Sequence, residues 1–185
     1  KNKFNEKLIF RCLFRADYTD LEQLKLAQKA GFWLMTFGVE SGSPKVLKYY
    51  KKGETIEHIA QGIEWSRQAG VKSLASFIAG APIDSVETLL ETANFIREIN
   101  PTYAPINILH PFFGAPITND VIAKGLLTPE EIRGYDHKDH IIRTETLTTK
   151  ELVELVNFIK KDFLEFKKSS FYRVKRKQEL QTRGF

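Results

Sequence analysis

Four short apolar runs, separated by stretches of helical spacing, limit the fold of this chain more than any other feature. The runs are LIFRCLF (Leu8–Phe14), WLMTFGV (Trp33–Val39), SLASFIA (Ser73–Ala79) and INILH (Ile106–His110). Each is short and bounded by polar or turn residues, so each reads as a buried strand. Thr19 to Glu22 form a capping-box pattern, and Leu21, Leu24 and Ala27 keep helical spacing up to Gly31. Ser43-Pro44 supplies an N-cap and an N1 proline for a short helix to about Tyr50. A helix from near Thr55 to Gly70 turns Ile56, Ile59, Ala60 and Ile63 inward. Asp84 and Glu87 offer another capping box, ahead of a helix with Val86, Leu89, Leu90, Ala93 and Ile96 inward. QKAGFW and RQAGVK, 39 residues apart, each close a helix and open a strand.

Strands apolar on both faces that alternate with helices make a parallel sheet covered by its crossovers. The crossovers are right-handed. Four such units are half of an eight-stranded barrel. The pattern changes after Gly114. Thr128-Pro129 opens a short helix, Gly134 to His140 read as loop, and Thr148 with Glu151 caps a long amphipathic helix. Leu152, Leu155, Val156, Ile159, Phe163 and Phe166 share one face of that helix, which suits packing on the outside of the barrel. The expected division is 1–125 for the half-barrel, 126–147 for an irregular connector and 148–185 for the helix and a basic tail.

The 185 residues suffice for one domain, and 42% apolar with 28% charged residues is ordinary for a globular protein. No apolar run reaches the roughly 20 residues of a membrane helix, and no secretory signal pattern opens the chain. One cysteine, Cys12, excludes an internal disulfide framework, so a cytoplasmic location is expected. Alternating with Phe10 and Phe14, Cys12 reads as buried packing. The net charge is +5, and Lys167 to Phe185 carry seven Lys/Arg against one acid, Glu179. With Phe171 and Tyr172 interleaved that tail can grip phosphates. The reading preferred is a solvated helix end or a segment that docks elsewhere, and nucleic acid is not among the expected partners. The sole methionine is Met35, so residue 1 is no initiator, and the chain is expected to be a piece of a longer one.

In parallel βα folds ligands sit beyond the carboxyl ends of the strands. Four segments should therefore share one mouth: Arg15 to Asp17, Gly38 to Gly42, Gly80 to Pro82, and His110 to Gly114. Glu40, between two glycines, suits ligand hydroxyls or an ammonium group. An ion pair with Arg15 or a lysine is the alternative. His110 is either substrate-facing or a hydrogen-bonded rim residue. Asp136, His137, Asp139 and His140 are consecutive loop residues that rarely converge on one ion, so no metal site is expected.

The pieces FGVESGS, VLKYYKKG, SFIAGAPIDSVET and HPFFGAPI occur in this order. Together they resemble the second half of a radical S-adenosylmethionine (SAM) core, in the branch whose members often carry a cobalamin-binding domain. The resemblance covers roughly residues 8–125, and more loosely the tail. It implies a partial (β/α)6 TIM-type barrel. It implies Glu40 near the SAM ribose or amino group, Lys52 at the SAM carboxylate, and Ile78 and Gly80 against adenine. Arg15 matches a recurrent arginine without an assigned role. Ala81, Ile83, Asp84, Phe113 and Ala115 depart from the family pattern and put the fine shape of the site in doubt. The larger departure bears on activity: the family's Cys-x-x-x-Cys-x-x-Cys, whose thiolates hold a [4Fe-4S] cluster, is missing, which implies that the chain as it stands does not cleave SAM. The cofactors implied for a full-length protein are SAM, that cluster and, as a candidate, cobalamin. The implied partners are the first half of the barrel, a cobalamin domain, a reductant protein and a small-molecule substrate. This chain alone is expected to be inactive and, with sheet edges exposed, to associate. The alternatives are a non-enzymatic half-barrel scaffold and an unrelated βα-barrel enzyme.

Overall fold

The computed structural model describes residues 8–134 and 141–182, with side chains up to residue 169. Four parallel strands, β1 (Phe10–Phe14), β2 (Phe32–Glu40), β3 (Lys72–Ala79) and β4 (Ile106–Ile108), lie in the order β1-β2-β3-β4. Spatial order equal to chain order is the barrel arrangement; a doubly wound sheet would reverse. The crossovers are α1 (Leu21–Lys29), α2 (Pro44–Tyr49) with α3 (Ile56–Gln68), and α4 (Val86–Ile99). Then come α5 (Pro116–Ala123), α6 (Pro129–Arg133) and α7 (Thr149–Thr182).

Strand alternation decides which side is core. Met35, Phe37 and Val39 of β2 and Ala75, Phe77 and Ala79 of β3 are buried among Leu24, Ile59, Ile63, Leu89 and Ile96 of the helices. The other face carries Leu13, Thr36, Gly38, Ser76, Ile78 and Asn107, none of them fully buried. The helices thus cover one face and leave the other open along the mouth end of the strands. Leu152, Val156, Ile159 and Phe163 seat α7 outside β4 and α4, with Arg97 paired to Asp162 and Lys167 donating to Asn100 at 2.7 Å.

Several expectations shift by a residue or a face. Among the described residues β1 has a strand neighbour on one side only, and it is not buried: Leu13 is 83% exposed and Phe10 40%. Cys12 is half-buried, its thiol 3.1 Å from Met35 Sδ, and burial pushes that thiol up. The N-cap of α1 is Asp20, which accepts from Gln23 N; Thr19 donates instead to the Arg15 carbonyl. Ser43 stands at the start of α2, but its buried Oγ makes no capping bond. The α4 capping box is Ser85 with Thr88, and Val86 and Leu90 point outward. The expected box at Thr148–Glu151 forms, and the helix start at Thr128 also proves to be a capping box with Glu131. Helix α5 follows a stretch that carried no sequence signal beyond Pro116 at its first position. The candidate loop residues Asp136, His137, Asp139 and His140 lie outside the described residues, as do the side chains of the basic tail.

Asp84, displaced from capping, ties the β3–α4 loop together. Its Oδ2 accepts the Gly80 and Ala81 amides at 2.8 and 2.9 Å, and its Oδ1 accepts the Thr88 hydroxyl at 2.8 Å. Burial pushes the Asp84 carboxyl up, and these hydrogen bonds only partly pull it back. A raised carboxyl gives stability that is complete at low pH and fades as pH climbs through its folded value. Asp84→Asn should therefore gain on the wild type between about pH 3 and about pH 7 in urea unfolding. Gly42 is a second fixed point. A Cβ there would stand 2.7 Å from Phe95 Cβ and from Thr92 Cα on α4. Gly42→Ala should cost about 1–3 kcal/mol by the same measurement. Gly134→Ala, where the nearest atom is 3.4 Å away, should stay within about 0.5 kcal/mol.

Candidate functional site

The end of β2 does not run straight into its loop. The register with β3 shifts between Gly38 and Glu40, and the Ser41 amide bonds back to the Val39 carbonyl at 2.9 Å. Glu40 is the centre of that tight turn, with φ of 67°. A side-chain-bearing residue in this region costs about 1–3 kcal/mol and is held only by its surroundings. Bulges at strand ends re-aim side chains. Here the bulge folds the Glu40 carboxylate back over Gly38. A Cβ on Gly38 would meet Glu40 Oε1 at 2.7 Å and Lys52 Nζ at 3.3 Å. The missing side chain at Gly38 thus leaves the space that the Glu40 carboxylate and the Lys52 ammonium occupy, while Gly42 makes room for α4.

Glu40 Oε1 and Lys52 Nζ are 3.3 Å apart, and both side chains keep partial exposure, 24% and 15%. Lys52 Nζ also lies 3.2 Å from Glu54 Oε2, whose side chain is 1% exposed. Arg15 completes the group: its Nη1 donates to the Lys52 carbonyl at 3.2 Å, and its Nη2 pairs with Asp17 at 2.8 Å. That bond holds the Asp17 carboxyl below its ordinary range. Nearby, the Tyr50 hydroxyl is buried without a partner, and burial followed by the charges of Asp84 and Glu40 pushes it up. The neighbouring Tyr49 hydroxyl donates to Asp120 at 2.5 Å and ties α2 to α5.

Of the residues singled out in the sequence, Glu40, Lys52 and Arg15 converge. Ile78 lies on the open face, paired in register with Asn107. Gly80 is buried: its φ is 101°, and the room over its Cα is taken by Ile142 and Leu152, each 3.1 Å from where a Cβ would stand. Its glycine character therefore has a packing cause as well as the implied ligand one. His110 is half-buried just past β4. Glu54 escaped notice, because KKGE reads as a surface charge run. Lys51 and Gly53 both take positive φ, 52° and 74°, and this pair of turns sends Glu54 inward ahead of the Thr55 cap.

An acid and a base 3.3 Å apart at the mouth of the sheet suit an amphoteric ligand, an ammonium for Glu40 and a carboxylate for Lys52. The SAM amino-acid end fits that donor set. An iron–sulfur cluster does not fit this chain: its one thiol is engaged with Met35, and among the described residues no group of three or more His, Cys, Asp or Glu could hold a metal ion. Among the described residues no helix is long and apolar enough to cross a membrane.

The fold and the mouth define a parallel βα half-barrel with the Glu40–Lys52 ion pair at its open end. The chain belongs to the radical SAM superfamily, whose family model matches residues 2–96. It is 26% identical over 165 residues to an uncharacterised methyltransferase of Pyrococcus horikoshii, covering 89% of this chain and 32% of that protein. It is 28% identical over 153 residues to the cytidylyl-2-hydroxyethylphosphonate methyltransferase of Streptomyces wedmorensis, covering 78% of this chain and 29% of that one. The fold is similar to that of the radical SAM methyltransferase TsrM from Kitasatospora setae, solved with cobalamin and a [4Fe-4S] cluster. The TM-score is 0.57 at 19% identity, over 62% of this chain and 23% of TsrM. The chain spans under a third of the length of these relatives, 32% and 29%.

Gly38→Ala separates site from scaffold. The atoms a methyl group would meet are the ends of flexible side chains, so unfolding free energy should change by no more than about 1 kcal/mol. A crystal structure of the variant should show the Glu40 carboxylate swung beyond the ~4 Å of an ion pair with Lys52.

Proposed function

We propose that this chain supplies the second part of a radical SAM barrel that works in methyl transfer, contributing half of the SAM pocket and the substrate-facing loops. The observation that carries the reading is the Glu40–Lys52 pair folded over Gly38 at the mouth of the sheet. In this reading Glu40 receives the SAM ammonium, and Lys52 its carboxylate. Ile78 and the backbone at Gly80 flank the adenine, and Arg15 braces Lys52 from behind. Bound SAM supplies a methyl group or, on reductive cleavage, a 5′-deoxyadenosyl radical. The protein's part is to fix the amino-acid end and to keep water from the sheet face.

The methyltransferase names of the sequence relatives support the reaction class. The cobalamin held by TsrM supports cobalamin as a second cofactor. The cluster ligands belong to residues outside this sequence, since one cysteine cannot supply three thiolates. The 185-residue chain by itself is then inactive, and its partners are that cluster-bearing segment, a cobalamin-binding domain, a reductant and a small substrate.

Calorimetric titration of the cluster-loaded, full-length protein with SAM tests the reading. Glu40→Gln and Lys52→Ala should each weaken binding about 10- to 100-fold, the loss of one charged hydrogen bond. Wild-type affinity in both variants would remove SAM from this site.

A further inference from the structure

A buried carboxylate beside a ligand-facing lysine raises the question of what it holds. Glu54 is 1% exposed and has no place in the core packing. Its Oε1 accepts the Ala16 amide at 2.7 Å, which anchors it to the loop after β1. Its Oε2 is set 3.2 Å from Lys52 Nζ and 3.9 Å from Arg15 Nη1 and takes no well-angled hydrogen bond from either. The hold on Lys52 is therefore one of charge. A buried ion pair of this kind adds little net stability, because desolvation offsets the attraction. What it does supply is geometry.

Lysine carries its charge on a flexible four-carbon stem. With Glu40 as its sole partner, Lys52 would close onto that carboxylate and quench it, or turn to solvent. Between Glu40 and Glu54 its ammonium is pinned 3.3 Å from the vacant Cβ position of Gly38, on the open face. The backbone supports the same point, since Arg15 grips the Lys52 carbonyl.

We infer that Glu54 is a positioning residue, a buried counter-charge that sets Lys52 for the carboxylate of the SAM amino-acid end. The inference rests on the proposed SAM site and acts on one end of it only. Ile78 and Gly80, on β3 and just beyond it, lie outside the Glu54 network.

Two ligands that differ only in that end separate the roles. S-adenosylhomocysteine has the amino-acid group, and 5′-methylthioadenosine lacks it. On the full-length, cluster-loaded protein, Glu54→Gln keeps the acceptor for Ala16 and removes the charge. It should weaken S-adenosylhomocysteine about tenfold and leave 5′-methylthioadenosine within about twofold. Glu54→Asp, which keeps the charge on a shorter arm, should fall between. Equal weakening of both ligands means a merely structural Glu54 and overturns the inference, and so does no weakening of either. A readout without ligand covers failure of the site itself. Acetylation of Lys52, followed by mass spectrometry against the exposed Lys48, should speed up in Glu54→Gln. An unchanged rate overturns the inference. Faster labelling in a protein that binds neither nucleoside would retain the Glu54 hold on Lys52 and reject the SAM reading. If Glu54→Gln does not fold, Glu54→Asp carries both measurements, with the same outcomes deciding.

Discussion

A parallel sheet needs a crossover between every two strands, and here all the crossovers land on one side. That constraint sorts the whole molecule. Phe37 and Phe77, buried beneath the helices, fix which face of each strand is core. By alternation they also fix that Gly38, Ser76 and Ile78 look the other way. The helical side is filled by core side chains. The Glu40–Lys52 pair stands where the strands end and their loops turn back over the bare face.

Two buried acids show how those loops are kept in place. Asp84 satisfies the amides of a turn and the hydroxyl of the helix behind it, so its charge is met by hydrogen bonds within its own loop. Glu54 reaches across the chain to the loop after β1 and to two cations. The first organises a single connection. The second joins the carboxyl end of β1 to the segment after α2, bringing together elements far apart in sequence.

The strands and crossovers were legible because periodicity and helix stops are local. Leu24, Ile59, Ile63, Leu89 and Ile96 were placed inward by spacing and are buried. Glu40 and Lys52, singled out by position and by motif, are brought together in the fold. What stayed hidden needed the third dimension. Leu13 looks like core but points to the face that the helices leave open, and among the described strands it has a neighbour on one side only. Val86 and Leu90 fall on the outer flank of α4, a rotation that spacing alone does not fix. Asp84 fits a capping pattern, yet the amides of Gly80 and Ala81 are closer competitors for its oxygens. Glu54 was masked by its charged neighbours, and two left-handed residues were needed to turn it inward.

The contact at Gly80 has a consequence for how this sequence can drift. Its backbone conformation bars a side chain, so that position is fixed and its neighbours must fill the space. Ile142 and Leu152, one from the connector and one from α7, meet over the same small area. Growth at one leaves less room for the other. The two positions are therefore coupled in volume, and a lineage that enlarges residue 142 must trim residue 152 to keep α7 seated against the end of β3.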